Sequence, residues 1–530
     1  MSTASEATLM TTSSSARFAF GFALIVVASA CNSDALTQIN YNPNSPTDAP
    51  PGPVFTTAVR VGVGRWMGDF NYSQTSNLVQ YYAMNQYSDP DRYFGVRADA
   101  TTGNLDGAYS SELQDFRQVV NKGKALNAPL IWAPAHVMQS WEFSIMTNTF
   151  GDLPYSEALR GDSSILAPKY DAQKDIYTAL FAALDATAKA MSTAPSGSAA
   201  LGSADPIFAG NAQRWQRFAN SLRARLALQV VNADKATTDA QLRAALTAPG
   251  GLMQSSADEA KLVWPGDGVY DNPFANTLKT RDDRRMSRTL MDTLLKTNDP
   301  RVPIFAQPAT NKAVYPNGYG GMPNGLAQDS ATKWTAVSSR PGAIFFPGST
   351  TYGTYGSPAG AATPSVLMSY AEVLFIEAEA AERGLGGLTA AQAAAFYNAG
   401  ILASMTQWGV SPSSAAGYLA QPEIAYKGGA SGLKQIGVQK WIALYDNGPQ
   451  AWSDWRRTCQ PSTIRPGPSA YVSYVPRRFY YSINEASSNA TNLSEAIARQ
   501  GADDFKTRVY WDKAPASAPT YVDAATCGPA

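Results

Sequence analysis

Stretches of helical periodicity, separated by long stretches without any, constrain the fold of this 530-residue chain most strongly. In QRWQRFANSLRARLALQVV (213–231), apolar residues recur every three or four positions, as on one face of an α-helix. The stretches 172–191, 282–301 and 369–384 have the same spacing. In 369–384 the stripe is rich in alanine, which permits close helix–helix approach, and Gly384 is a good helix end. We therefore predict a mostly α fold.

Between these helices lie long segments rich in turn residues. Connections of this length inside a compact domain usually carry function or short strands of their own. No strict repeat period is visible, yet paired helices with long excursions are what a modified helical-repeat scaffold would show. The main excursions are 87–108, 250–278, 306–364 and 461–492.

The N-terminus has the pattern of an export signal. Arg17 precedes an apolar run that is too short for a membrane-spanning helix of roughly 20 residues. The run ends in Ala28-Ser29-Ala30-Cys31, which resembles a bacterial lipobox, so we predict acylation of Cys31. An ordinary secretory peptide cut near Cys31 is the alternative.

Charge and the rare residues exclude several classes of function. Lys+Arg and Asp+Glu both number 42, so no net charge steers the chain towards nucleic acid. The single histidine, His136, excludes a multi-histidine metal site, and we interpret it as structural. Two further cysteines, Cys459 and Cys527, predict a disulfide in an exported protein, with two free thiols as the alternative. We predict no metal and no cofactor.

One stretch, QKWIALYDNGPQAWSDWRRTCQP (439–461), concentrates aromatic and cationic side chains. It could be a ligand platform or the inside of a scaffold. Its rings sit at helical spacing, as i, i+3 and i, i+4 neighbours, and we interpret it as scaffold. The residues concerned are Trp441, Tyr445, Trp452, Trp455, Arg456 and Arg457.

Aromatic residues in the irregular segments are better candidates for ligand contact. A flat ring stacks on the C–H face of a sugar while nearby polar groups bond its hydroxyls. The alternative is that these rings merely pack loops onto the body. The candidates are Tyr87, Asp91, Arg92, Tyr93, Phe94, Trp264, Tyr270, Asn272, Trp334, Tyr352 and Tyr355.

Taken in order, the segments resemble one family, the SusD/RagB-like outer-membrane nutrient-binding lipoproteins. The resemblance covers nearly the whole mature chain and departs from the family at Cys459, where a glycine is expected, and in the tail after Lys513. On this basis we assign residues 1–30 to a signal peptide, 31–53 to a lipidated tether, 54–513 to the nutrient-binding domain and 514–530 to a C-terminal tail. The matching segments are NPNSPT (42–47), FGDLPYSEALRG (150–161), 170–185, 207–228, 298–301, 369–384, 439–458, 476–489 and 508–513.

The resemblance implies tetratricopeptide-like helix pairs with a looped binding face, displayed on a Gram-negative outer membrane. It also implies a partner, a SusC-type TonB-dependent β-barrel transporter, and oligosaccharide ligands, or peptides in some members. A free-standing glycan binder is a further alternative. A glycoside hydrolase would need two carboxylates. The pairs Asp282-Asp283 and Asp503-Asp504 lie in charged stretches that indicate solvated surface, so we expect no enzyme activity.

Overall fold

Helices make up most of the structure, a computed structural model that describes residues 49–93, 98–345 and 358–513. The described residues from Pro51 to Lys513 belong to one compact unit. The helices are α1 Pro51–Trp66, α2 Ser76–Leu78, α3 Ala98–Ser110, α4 Glu112–Ala125, α5 Pro129–Phe150, α6 Gln173–Ser192, α7 Ala212–Gln229, α8 Lys235–Thr247, α9 Pro273–Leu278, α10 Arg288–Lys296, α11 Val302–Phe305, α12 Gln328–Ala331, α13 Pro358–Ala361, α14 Tyr370–Glu382, α15 Ala390–Gln407, α16 Pro412–Leu419, α17 Gly429–Ala443, α18 Gly448–Thr458, α19 Glu485–Ser488 and α20 Ala490–Gln500.

The described part of the chain contains six short strands that pair two by two, and each pair is antiparallel. The first pair joins β1 to β5 with Tyr82 opposite Met286. The second places Leu153 opposite Asp171, and the third places Leu262 opposite Ser365. The strands are β1 Tyr82–Met84, β2 Leu153–Pro154, β3 Tyr170–Asp171, β4 Ala260–Leu262, β5 Arg284–Met286 and β6 Ser365–Met368.

The helices predicted from periodicity begin and end at capping residues. The Asn211 side chain accepts from the Arg214 N–H at the start of α7, and the Ser369 hydroxyl caps α14 in the same way. At the end of α14, Gly384 has φ +64°, in the left-handed region that glycine enters without steric cost. These helices are confirmed, as is α6, which spans Gln173–Ser192 against the predicted 172–191.

Two boundaries differ from the sequence prediction. In 282–301 only α10 is helical, because Arg284–Met286 pair as β5 and the Ser287 hydroxyl then caps the new helix. The excursion 87–108 ends in a helix, α3, and is therefore shorter than predicted.

Consecutive helices pack against each other in pairs. The pairs α4–α5, α6–α7 and α14–α15 are in extensive contact. Close approach depends on small residues: a Cβ on Gly123 of α4 would lie 2.7 Å from the Trp132 nitrogen of α5. A Cβ on Gly400 of α15 would lie 3.0 Å from the Phe375 ring of α14. Among the described residues, no helix is long and apolar enough to cross a membrane.

The aromatic stretch 439–461 is scaffold, as predicted. Trp441, Trp452 and Trp455 are each about 1% exposed. Each indole N–H donates to a backbone carbonyl: that of Trp441 to Val79 over 3.0 Å, that of Trp452 to Pro476, and that of Trp455 to Pro461 within the stretch itself. Because these rings are buried and their donors are used, they offer no surface to a ligand.

The two adjacent arginines of this stretch are buried as well. The Arg456 guanidinium lies 3.5 Å from the centre of the Trp452 ring and donates to the Asn148 carbonyl. The Arg457 guanidinium pairs with Glu379 of α14 and with Asp454. This network ties α18 to α14.

Cys459, which follows α18, stands where the family pattern has a glycine. Cys459 caps α18 with φ +58°, a left-handed conformation in which glycine is the usual residue. Cys459 is disulfide-bonded. Its predicted partner, Cys527, lies outside the described residues, so the pairing stays a prediction.

Candidate functional site

The segment that follows β1 is held between two other parts of the chain. The Asn85 side-chain amide donates to the Asp282 carbonyl over 2.9 Å and to the Thr335 hydroxyl over 3.0 Å. Three residues further on, the Ser88 N–H donates to the Gln328 side chain over 3.1 Å. These bonds join the segment that contains Tyr87 to Asp282 and to the segment 328–335.

Asp91 anchors this segment from inside. It is 1% exposed and accepts from the Asn324 amide over 2.7 Å and from the Gly325 N–H over 2.8 Å. Burial raises the pKa of Asp91 to about 7, against the effect of these donors. Tyr93 is equally buried. This corrects the expectation that both residues contact ligand: they position the segment instead.

A fourth segment joins at Arg92. Its Nε donates to the Ser469 carbonyl over 2.9 Å, and its own carbonyl accepts from the Tyr471 N–H over 3.0 Å. Its guanidinium lies 4.1 Å from the centre of the Tyr471 ring. Arg92 therefore both ties the fourth segment down and provides a cation beside an exposed ring.

Three aromatic rings in these segments reach the surface, each beside a guanidinium. Tyr87 is 64% exposed and Tyr471 is 49% exposed, while Trp334 is half-buried. The guanidinium of Arg281 lies 4.9 Å from the centre of the Tyr87 ring, and that of Arg288 lies 5.1 Å from the Trp334 ring. We call this group the aromatic face; it consists of Tyr87, Trp334, Tyr471, Arg92, Arg281 and Arg288.

The second predicted cluster, at 264–272, does not form a comparable surface. Trp264 is 5% exposed, and its indole N–H donates to the Ser365 hydroxyl over 2.9 Å. Asn272 is buried because its side chain caps α9. This corrects the expectation of ligand contact for both. Tyr270 is 45% exposed and stacks with Arg60 of α1, 4.5 Å from its ring centre.

Several predicted residues lie outside the described part of the chain. These are the candidate ligand residues Phe94, Tyr352 and Tyr355, together with Cys31 and Cys527.

Three members of the aromatic face were not predicted. Tyr471 lies in the excursion 461–492, and its place in an irregular segment is the same signal that marked Tyr87. Arg281 lies just before 282–301, and Arg288 lies within it. The helical spacing of this stretch suggests that its charged side chains are solvated. Their alignment over rings depends on tertiary contacts, which periodicity does not contain.

Three of the four carboxylates considered for catalysis pair with arginines. Asp503 pairs with Arg478 over 2.8 Å, whereas Asp504 accepts from the Thr507 N–H over 2.7 Å. Asp283 is 1% exposed and pairs with Arg284 over 2.8 Å, which corrects the prediction of solvated surface. Asp282 accepts from Arg285 and Arg340, over 2.6 Å and 2.7 Å. A carboxylate fixed between cations is poorly placed to protonate a glycosidic oxygen.

His136 is a half-buried residue of α5, in keeping with a structural role. Burial, together with the nearby Lys124, lowers its pKa to about 4, so the ring is neutral at physiological pH. Within the described ranges, no cluster of three or more His, Cys, Asp or Glu residues is arranged to hold a metal ion.

The described residues form a scaffold of paired helices whose connecting segments expose aromatic rings. The sequence profile of a SusD-like family, described as starch-binding and associating with the outer membrane, matches residues 43–482. The chain belongs to this SusD-like family. No curated protein sequence matches it.

Solved structures agree with this assignment. A chitin-binding protein is 26% identical, with a TM-score of 0.75, over 87% of this chain and 100% of its own. A chitin-binding SusD homolog from Flavobacterium johnsoniae is 27% identical, with a TM-score of 0.74, over 87% of this chain and 97% of its own. A SusD homolog from Bacteroides uniformis shares the fold. It is 23% identical, with a TM-score of 0.74, over 87% of this chain and 99% of its own. The predicted family and its tetratricopeptide-like helical fold are confirmed.

Proposed function

We propose that this protein is a cell-surface lipoprotein that binds oligosaccharides at the aromatic face and hands them to a SusC-type TonB-dependent outer-membrane transporter. The observation that carries the proposal is that Tyr87, Trp334 and Tyr471 each lie beside a guanidinium, on segments that hydrogen bonds join to one another. These rings come from separate segments of the chain, which hydrogen bonds hold together.

The chemistry of the face suits a sugar. A pyranose has apolar C–H faces and an equatorial rim of hydroxyls, so it needs flat apolar surface beside hydrogen-bond donors. Aromatic rings supply the surface, and guanidinium groups supply several N–H donors in a fixed plane. Two of the similar solved structures are of chitin-binding proteins, which supports a carbohydrate ligand here.

A peptide ligand has less support. Peptides that bind through their backbone usually add a strand to an exposed sheet edge. In the described residues the strands are two to four residues long, and β1 and β5 are buried along their whole length. We therefore favour the oligosaccharide.

Three further observations support the placement of the protein. The family is described as associating with the outer membrane. The sequence carries a lipobox-like segment at Cys31, and acyl chains at that cysteine would anchor the chain without a spanning helix. Binding without catalysis agrees with the arginine-held carboxylates Asp282 and Asp283.

Calorimetric titration of the purified protein with maltoheptaose and with chitopentaose tests the binding site. Tyr87→Ala and Tyr471→Ala each remove an exposed ring, and we expect each to weaken binding roughly tenfold, equivalent to about 1.4 kcal/mol. Tyr270→Ala is the matched control, because Tyr270 is an exposed tyrosine beside an arginine outside this face. The assignment would be contradicted if Tyr270→Ala weakened binding while Tyr87→Ala and Tyr471→Ala left it unchanged.

A further inference from the structure

A large cleft next to the aromatic face has a composition of its own. Its volume is about 840 Å³, within the range typical of small-ligand sites. It is bounded by α10, by α17 and by the segments 423–427 and 460–465. Apolar side chains line part of it, among them Ile424, Val438 and Ile442. Arg288 belongs to both the cleft and the aromatic face.

Cationic side chains outnumber acidic ones along the cleft. The acids are Asp292 and Glu423. Lys296 and Lys427 are exposed, and neither forms an ion pair within the described residues. The protein as a whole has no net charge, so the excess of cations is local. Its field favours an anionic ligand. We call this region the cationic cleft; its cations are Arg288, Lys296, Lys427, Lys434 and Arg465.

Neutral hydrogen-bonding groups lie among these charges. Hydroxyl and amide side chains can both donate to and accept from the hydroxyls of a sugar, whereas lysines only donate. The cleft thus combines cations, two-way hydrogen-bonding groups and apolar surface. The neutral polar residues include Thr289, Thr293, Thr297, Gln435, Ser462 and Thr463.

The shape of the cleft favours a small ligand over a protein segment. A stable protein partner needs a contact surface of about 800 Å² on each side, whereas this site is a concave space of limited volume. None of the lining residues belongs to a strand, so an extended acidic peptide finds no strand edge to pair with.

We propose that the cationic cleft binds a sugar unit that carries a carboxylate or a sulfate group, so that the protein takes acidic oligosaccharides. This inference rests on the proposed function, since it names the class of oligosaccharide. The neutral part of the chain would lie towards the aromatic face, and the anionic group would lie among the lysines.

Titration of the full-length protein in mild detergent tests this proposal, with trigalacturonate, a sulfated chitotriose, maltotriose and a hexa-aspartate peptide as probes. We expect an acidic trisaccharide to bind at least tenfold more tightly than maltotriose at 50 mM NaCl. Because the attraction is between exposed charges, this binding should weaken severalfold at 500 mM NaCl. The two acidic sugars distinguish a carboxylate from a sulfate as the recognised group.

Charge reversal locates the site. The double variant Lys296→Glu/Lys427→Glu should lose at least tenfold in affinity for the acidic trisaccharide and keep its affinity for maltoheptaose. Lys235→Glu reverses an exposed lysine at the start of α8, outside the cleft, and should change neither affinity. Circular dichroism checks that each variant is folded.

The proposal is overturned if maltotriose binds as tightly as both acidic sugars, or if the double variant binds them unchanged. Tighter binding of hexa-aspartate than of either acidic sugar would overturn it in favour of a protein segment. Failure here is separable from failure of the proposed function. If neutral oligosaccharides still bind through Tyr87 and Tyr471, only the cleft assignment falls.

Discussion

Replacing Arg457 by methionine tests whether the aromatic stretch 439–461 is scaffold. The Arg457 side chain is 1% exposed, and its partners Glu379 and Asp454 are 4% and 5% exposed. Arg457 holds the pKa of Glu379 well below its usual range, because its cation is the largest favourable influence on that buried carboxylate. The variant therefore leaves buried acids with fewer cations.

The size of the effect follows from burial. Removing one partner of a buried ion pair costs about 3–5 kcal/mol. For the roughly 450 residues that the structure describes, the entropy of unfolding is about 0.9 kcal/mol per kelvin, so Tm should fall by about 3–5 °C. Arg243→Met is the control, because Arg243 and Asp239 form an exposed pair with 57% and 38% of their side chains accessible. That pair should contribute no more than about 1 kcal/mol.

Differential scanning calorimetry measures both shifts, and titration at 25 °C measures oligosaccharide binding. We expect Arg457→Met to lower Tm and to leave the affinity unchanged. A shift no larger than that of Arg243→Met would refute the argument from burial. A folded Arg457→Met protein that has lost its affinity for oligosaccharide would refute the scaffold assignment.

Two further predictions address other parts of the molecule. Burial raises the pKa of Asp91 to about 7 from 3.8, so the native state keeps a proton that the unfolded chain releases, and the contribution of Asp91 to stability falls as pH rises from about 4 to 7. Urea unfolding at pH 5 and pH 8 measures how far the free energy of unfolding falls between the two pH values. This fall should be smaller for Asp91→Asn than for the wild type, and an equal fall would contradict this reasoning. Peptide mapping without reduction should recover Cys459 joined to Cys527, whereas free thiols, or Cys459 joined to another cysteine, would contradict the predicted pairing.

The helical framework could be predicted from the sequence because its causes are local. Apolar spacing within 213–231 and a glycine after 369–382 are enough to define α7 and α14. The region 282–301 shows the limit of such reasoning. Arg284–Met286 pair with β1, about 200 residues earlier in the chain, and this pairing overrides the local helical pattern.

The candidate site could be predicted only in part, because exposure in loops depends on distant contacts. Tyr87 and Asp91 lie four residues apart in one turn-rich segment, and the same sequence signal selected both. Tyr87 reaches solvent, whereas Asp91 is buried by Asn324 and Gly325, which lie more than 200 residues away. Tyr471 joins the face through a backbone bond to Arg92, which no local pattern contains.

Purification from native outer membranes tests the central claim, that this protein is the binding component of an uptake system. The tagged protein would be extracted in mild detergent, with and without prior cross-linking, and the proteins that co-purify would be identified by mass spectrometry. We predict a TonB-dependent β-barrel in stoichiometric amount. Recovery of the protein alone, even after cross-linking, would contradict the transport role and leave a free-standing glycan binder as the better account.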